Sequence, residues 1–347
     1  MTTDAYFDMR NLASPMRKVS GCPVSGCSAL LEKASSQWGA MPYCPVHRIR
    51  IHAKSFVYYD GPDKASKRNA ALRNILFERD YFKEHILGNA AKAETHRICH
   101  ETSEDALTWN VFSRLARGEL LSKLLSTFTC RSLKNEPELY LWGLKVCLHD
   151  SSAPTLFPAL KCARDVFEKG ITKFLTEPDV MLYVPGRFLI LIEAKFTSGN
   201  TIASATPDVT NEKPKSREGI LKRYAPTLLP NDALLAQSSS VPFYSQLYRN
   251  LVFAIYMAKK LDVRWGLVNI VCKGQYHPRL EFQDPTKFIH ELLPEKSREQ
   301  FLFYSWERLY AEHVAKATKL KDLAEYMCNK TAYRTKAFAA EIQTKDS

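Results

Sequence analysis

The chain has 347 residues, of which 45% are hydrophobic and 25% charged, which excludes a disordered or collagen-like chain and leaves ample material for a buried core. Lysine and arginine number 49 against 37 aspartate and glutamate, a formal charge of +12, and an excess of that size points to a polyanionic partner. No apolar run approaches the roughly 20 residues of a membrane span, so no membrane partner is expected.

Residues 1–20 are polar and without pattern, and disorder is expected there. The opening MTTDAYFDMR has neither the basic nor the apolar region of a secretory leader, so a cytoplasmic or nucleoid-associated protein in a reducing milieu is expected. Clustered cysteines in that setting read as metal ligands before disulfides. Cys22, Cys27, Cys44 and His47 form C-x4-C-x16-C-x2-H, two close pairs on tight knuckles helped by Pro23 and Gly26. Such pairs meet the tetrahedral demand of a structural Zn²⁺ without a large core, and they define a small zinc module over 21–60. His52 is a rival fourth ligand. Cys99, Cys130, Cys147, Cys162, Cys272 and Cys328 are isolated and read as small apolar groups.

Residues 61–98 carry Leu72, Ile75, Leu76 and Phe82 among lysines and arginines, the pattern of a connecting helical arm. Thr102 or Ser103 then caps a helix written SEDALTWNVFSRLARGELLSKLL, with Leu107, Val111, Leu115 and Leu121 at helical spacing. Glu104 and Asp105 fall in its first turn, where the helix dipole alone favours acids. ELYLWGLKVCLHD reads as a strand and FPALKCARDVFEKGI as a helix.

Residues 177–196 read EPDVMLYVPGRFLILIEAKF. A short strand follows Pro178-Asp179, Pro185-Gly186 signals a turn, and 187–192 is almost wholly apolar, as in a strand covered on both faces. A tight hairpin there pairs residues whose numbers sum to about 371 or 372. Asp179 then comes beside Ile192 or Glu193, while Glu193 and Lys195 share a face and Ala194 points away. Two carboxylates and an ammonium at the open end of a hairpin suit a hard divalent cation with a base or charge stabiliser beside it. A strand pair with solvated charged ends and a cross-strand ion pair fits the same residues.

The composition changes over 197–240, which is rich in Ser, Thr, Pro, Asn and Lys. A long loop inside a compact domain is functional or disordered. Lys213, Lys215, Arg217, Lys222 and Arg223 give it the character of a flexible basic insertion able to act as a flap over substrate. VPFYSQLYRNLVFAIYMAKKL resumes a helix with Leu247, Leu251, Ala254, Ile255 and Ala258 towards a core; Gln246, Arg249 and Asn250 share one of its faces. RWGLVNIVCKG reads as the last core strand. Residues 276–347, including SREQFLFYSWERLYAEHV, read as helical with a polar tail.

Pro178-Asp179, thirteen intervening residues and Glu193-Ala194-Lys195 resemble the signature of the PD-(D/E)xK nuclease superfamily, over roughly residues 100–275. The resemblance implies an α/β, restriction-endonuclease-like αβββαβ core within 99–275, its mixed central sheet flanked by helices. It implies Mg²⁺ or Mn²⁺ held by Asp179, Glu193 and the Ala194 carbonyl, with Glu104, ahead of Glu101 and Asp105, completing the shell or holding a second ion. Lys195 would orient or deprotonate the attacking water or steady charge on phosphorus, and Gln246 would meet the water or a phosphate. Lys213, Lys215, Arg217, Lys222, Arg223 and Arg249 would contact the nucleic acid. DNA is the expected substrate, in a restriction-like or defence role, with no small-molecule ligand; the oligomeric state stays open. The alternative is a non-catalytic, zinc-containing nucleic-acid-binding protein with an inert core.

Overall fold

The computed structural model describes residues 22, 24, 26–33, 41–52, 55–87, 95–150, 152–172, 174–204, 213–224, 242–272 and 283–330. The expectations for residues 1–20, for 205–212 and 225–241 of the insertion, and for the tail from 331 lie outside the described residues. The chain forms two compact units, one of Met1–Gly118, Cys272–Gly274 and Trp306–Ser347, the other of Glu119–Val271 and Gln275–Ser305.

In the first unit β1 (Glu32–Lys33), β2 (Pro42–Cys44), β3 (Ile49–His52) and β4 (Ser55–Tyr58) make a four-stranded antiparallel meander in chain order. The helix Lys64–Leu72 follows; its Asp63 cap accepts from the Ser66 N–H at 3.0 Å, which satisfies an otherwise orphaned donor. Among its described residues the expected arm over 61–98 is helical in three short pieces, the others being Arg79–Tyr81, which runs into a π turn at Phe82–Ile86, and Thr95–Ile98. Buried Asn110, on the helix Glu104–Arg117, accepts from Leu76 N at 2.8 Å and donates to Asn74 O at 2.9 Å. The C-terminal helix Lys321–Asn329 belongs to this unit too, and the buried ammonium of Lys330 just beyond it donates to Asn74 Oδ1 at 2.9 Å and to the Glu101 carbonyl.

The second unit holds the mixed sheet. β5 (Glu138–Leu141), β6 (Leu144–Lys145), β7 (Val180–Val184), β8 (Phe188–Ala194), β9 (Arg264–Val271) and β10 (Phe301–Ser305) lie in the order β10-β9-β8-β7-β5-β6. β7 and β8 are the expected hairpin, with Val184 facing Phe188 and Val180 facing Ile192; Gly186 takes a φ of 68° in the turn. β8 pairs in parallel with β9, and β9 with β10. All seven residues of β8 are buried, as its apolar run requires of a central strand. Met181, Leu189, Leu191 and Leu267 pack with Leu160 and Phe167 of the helix Pro158–Phe167 and Leu247 and Leu251 of the helix Ser245–Leu261. Each such side chain contributes roughly 1.5–3 kcal/mol by leaving water.

Four expectations are corrected. The helix anticipated from Ser103 onward is two helices, Glu104–Arg117 and Leu121–Thr129, which fall in different units. Gly118 ends the first, Glu119 turns left-handed at a φ of 56°, and the Glu136 carboxylate caps the second, accepting from Leu121 N at 3.1 Å and Ser122 N at 3.2 Å. Removing that cap by Glu136→Ala is expected to lower stability by about 1 kcal/mol, read as a shift in denaturant midpoint; an unmoved midpoint would show the cap contributes nothing. The strand expected over 138–150 is a hairpin, because Trp142 and Gly143 take φ of 54° and 84° between β5 and β6, the combination a two-residue primed turn requires. A Cβ on Gly143 would sit 2.5 Å from Leu160 Cδ2, so the turn also needs glycine for space. FLFYS, expected within a helical tail, is edge strand β10. Residues 213–224, expected in a flexible flap, are packed on the core through buried Ile220 and Tyr224.

Candidate functional site

In the first unit the four expected zinc ligands converge. Cys44 ends β2 and His47 lies in the turn leading to β3. Cys22 Sγ is 3.3 Å and Cys44 Sγ 3.6 Å from His47 Nδ1, and Cys27 Sγ is 3.9 Å from Cys44 Sγ. All four ligand atoms lie within 4.8 Å of one another. Tetrahedral Zn²⁺ places sulfurs about 3.8 Å apart and sulfur and nitrogen about 3.5 Å apart, so this cluster can hold such an ion. Burial, with Arg73 nearby, pulls the His47 pKa down and keeps the imidazole in its ligating neutral form. Burial pushes the Cys22 thiol up, a cost that a bound cation removes by stabilising the thiolate. The rival ligand His52 has its side chain outside the described residues. Arg73, which the sequence reading weighed as a phosphate contact or part of a solvated face of the arm, is buried; it pairs with Asp60 at 2.9 Å and donates to the carbonyls of Arg48 at 2.9 Å and His47 at 2.5 Å. It fastens the ligand-bearing turn to the helix Lys64–Leu72.

In the second unit Asp179, Glu193 and Lys195 come together at the open end of the β7–β8 hairpin. Asp179 Oδ2 accepts from Ala194 N at 2.8 Å, so a carboxylate continues the ladder where the backbone pairing stops. Trp142 N donates to Asp179 O at 3.1 Å, holding the residue from the β5 side. Glu193 is 0% exposed, where a bare carboxylate costs several kcal/mol unless it is neutralised. Lys195 Nζ stands 2.6 Å from its Oε1 and Asn250 Nδ2 donates to its Oε2 at 2.7 Å. Lys195 Nζ also donates to Gln246 Oε1 at 3.2 Å, and the Thr201 hydroxyl donates to the same oxygen at 3.3 Å.

Three asparagines complete the site, and of these the sequence reading weighed only Asn250. Asn269 of β9 donates to the Glu193 carbonyl at 3.1 Å, while Asn269 and Asn200 exchange amide hydrogen bonds of 2.8 and 3.2 Å. Asn269 and Asn200 are buried. The signal for Asn269 was a lone amide in the apolar run GLVNIV, since a polar residue inside a central strand must find a partner.

The oxygens of Asp179, Glu193 and the Ala194 carbonyl are the hard donors that Mg²⁺ or Mn²⁺ takes. Glu193 Oε1 is buried and has the Lys195 ammonium 2.6 Å away, so an ion there would have to take the place of that cation. Glu104, expected to complete that shell, lies on a helix of the first unit.

The cations expected on nucleic acid divide into two groups. Arg249 is buried and donates to Pro214 O at 3.0 Å. Lys213 Nζ lies 3.7 Å from Glu168 Oε1, and Arg223 donates to the carbonyls of Phe167 at 2.8 Å and Lys169 at 2.5 Å. These three fasten the insertion to the core. Buried Glu168, the partner of Lys213, accepts also from Thr176 N at 2.8 Å and the Tyr224 hydroxyl at 2.8 Å. Lys215 and Lys222 are exposed, and Arg217 lies 5.6 Å over the Phe243 ring.

Among the described residues no helix is long and apolar enough to cross a membrane. No protein-family model, no curated protein and no solved structure matches the chain.

Proposed function

We propose that the chain is a metal-dependent nuclease of the PD-(D/E)xK type, hydrolysing phosphodiester bonds of DNA in a restriction-like or defence role, with a structural zinc module at its N-terminal end. The observation that carries this reading is the Asp179 carboxylate on the Ala194 amide beside the buried Glu193–Lys195 pair, at one end of a hairpin. The order of the helix Leu121–Thr129, β5, β7, β8, the helix Ser245–Leu261 and β9, with β6 and the helix Pro158–Phe167 intervening before β7 and the helix Arg217–Tyr224 after β8, supports a restriction-endonuclease-like αβββαβ core carrying insertions. The net charge of +12 supports a polyanionic substrate.

Mg²⁺ or Mn²⁺ on Asp179, Glu193 and the Ala194 carbonyl would polarise the phosphate and lower the pKa of a water. The chain's own residues do the rest. Asp179 is oriented by the Ala194 amide and Glu193 by Asn250 and Asn269. The Lys195 ammonium orients the attacking water or steadies charge on phosphorus. Lys215 and Lys222 are exposed on the insertion, where a phosphate backbone would meet them. The reading rests on three side chains and needs no acid from the first helix.

One observation favours a second reading, a non-catalytic zinc-containing nucleic-acid-binding protein: Glu193 already has a cation and an amide upon it. A plasmid and oligonucleotide cleavage assay with Mg²⁺ or Mn²⁺ separates the two. Cleavage by the wild type that disappears in Asp179→Ala and Lys195→Ala is expected. Cleavage surviving both substitutions removes the site assignment, and metal-independent binding without cleavage selects the second reading.

A further inference from the structure

The proposed nuclease site raises the question of how a divalent ion reaches a carboxylate that already has a cation, and this inference rests on that reading. The two contacts of Glu193 differ in kind. Asn250 gives Oε2 a directed hydrogen bond of 2.7 Å. Lys195 Nζ stands 2.6 Å from Oε1 as an ion pair, and a cation of higher charge competes with an ammonium for the same carboxylate oxygen. The same ammonium donates to Gln246 Oε1 at 3.2 Å. It therefore stands between a charged acceptor on β8 and a neutral one on the helix Ser245–Leu261.

A divalent ion and an ammonium cannot both lie against Glu193 Oε1, because two cations in one buried site repel strongly. We propose that Lys195 is the resident cation of the metal-free site, that a divalent ion gains Glu193 only by displacing it, and that Gln246 receives the displaced ammonium. Metal-free Glu193 thus stays neutralised inside the core, and metal binding itself releases Lys195 from its carboxylate. Gln246 acts through Lys195 and is a positioning residue, in place of the direct contact with water or phosphate that the family resemblance implies.

The test is a calorimetric Mn²⁺ titration of zinc-loaded wild type, Lys195→Met, Gln246→Leu and the double variant. Lys195→Met is expected to bind Mn²⁺ at least about tenfold more tightly, since the competitor is gone. Gln246→Leu is expected to weaken binding about threefold, and that effect should vanish in the Lys195→Met background, a non-additivity that a merely structural role for Gln246 would not produce. Equal or weaker Mn²⁺ binding by Lys195→Met overturns the inference, as does a Gln246→Leu effect that persists in the double variant. If Lys195→Met fails to fold without metal, refolding in Mn²⁺ becomes the measurement: recovery supports displacement and no recovery overturns it. Equal, Asp179-dependent binding by wild type and Lys195→Met would remove this inference alone, whereas no Asp179-dependent Mn²⁺ binding in any of the four proteins would remove the nuclease reading with it.

Discussion

Cys44→Ser is expected to strip the metal from the N-terminal module and to melt the small sheet built on it. Cys44 is 0% exposed and terminates β2, and the meander it belongs to has strands of only two to four residues. Sheets that small bury too little apolar surface to persist alone. Zn²⁺ in such modules supplies roughly 10–16 kcal/mol of apparent binding energy, as much as the whole stability of an ordinary domain, about 5–15 kcal/mol. Metal analysis should therefore find one zinc per wild-type chain and far less in Cys44→Ser. Amide exchange over 42–58 should accelerate in the variant as it does in chelator. His47→Ala should behave like Cys44→Ser and His52→Ala like wild type, because His47 Nδ1 is the nitrogen within 3.3 Å of Cys22 Sγ. Full zinc content in Cys44→Ser would show the ligand set to be wrong.

What could be read from the sequence and what could not divides along physical lines. The β7–β8 hairpin was legible because a Pro-Gly turn and two apolar β-prone runs fix its register locally, and register fixes which side chains share a face. The Cys/His cluster was legible from spacing alone, whereas the meander beneath it was not, since its strands are too short to show a period. The break at Trp142–Gly143 was hidden inside a continuous apolar run, and β10 inside FLFYSWERLY, whose apolar spacing also suits a helix. Glu168 and Asn269 escaped because their partners lie far away in sequence. Buried polar groups are placed by tertiary pairing, which no local pattern announces. Lys213, in a basic, polar stretch, and Arg249, on the polar face of an otherwise apolar helix, both read as surface cations, yet the fold holds them on Glu168 and the Pro214 carbonyl.

Stability is expected to rise with pH between about 7 and 10, the reverse of what a protein held by surface ion pairs would show. Burial, reinforced by Arg249 nearby, pulls the Lys213 pKa down to about 7 even with Glu168 at 3.7 Å. Burial likewise pulls Lys330 down to about 8 although Glu101 is near. An unfolded lysine titrates at about 10.4. Below about pH 7 both lysines are charged in folded and unfolded chains alike, and the full cost of burying two ammonium groups is present. As pH climbs through the folded values, the folded chain releases protons that the unfolded chain keeps, so the unfolded state binds more protons and stability increases. Each unit of pKa difference is worth about 1.4 kcal/mol, which makes the gain by pH 10 roughly 3 kcal/mol for each lysine. Above about pH 10 the sign reverses. Burial raises the hydroxyls of Tyr140, Tyr224 and Tyr326, so the folded chain holds phenolic protons that the unfolded chain gives up. Denaturant unfolding of the zinc-loaded protein from pH 6 to 11 should trace this rise and fall. Lys213 and Lys330 belong to different units, so Lys213→Met should flatten the rise in the unit carrying the mixed sheet and Lys330→Met in the unit carrying the zinc module. A profile that is flat or falling from pH 7 to 10, or one left unchanged by both substitutions, would mean that neither ammonium is buried as the structure has it.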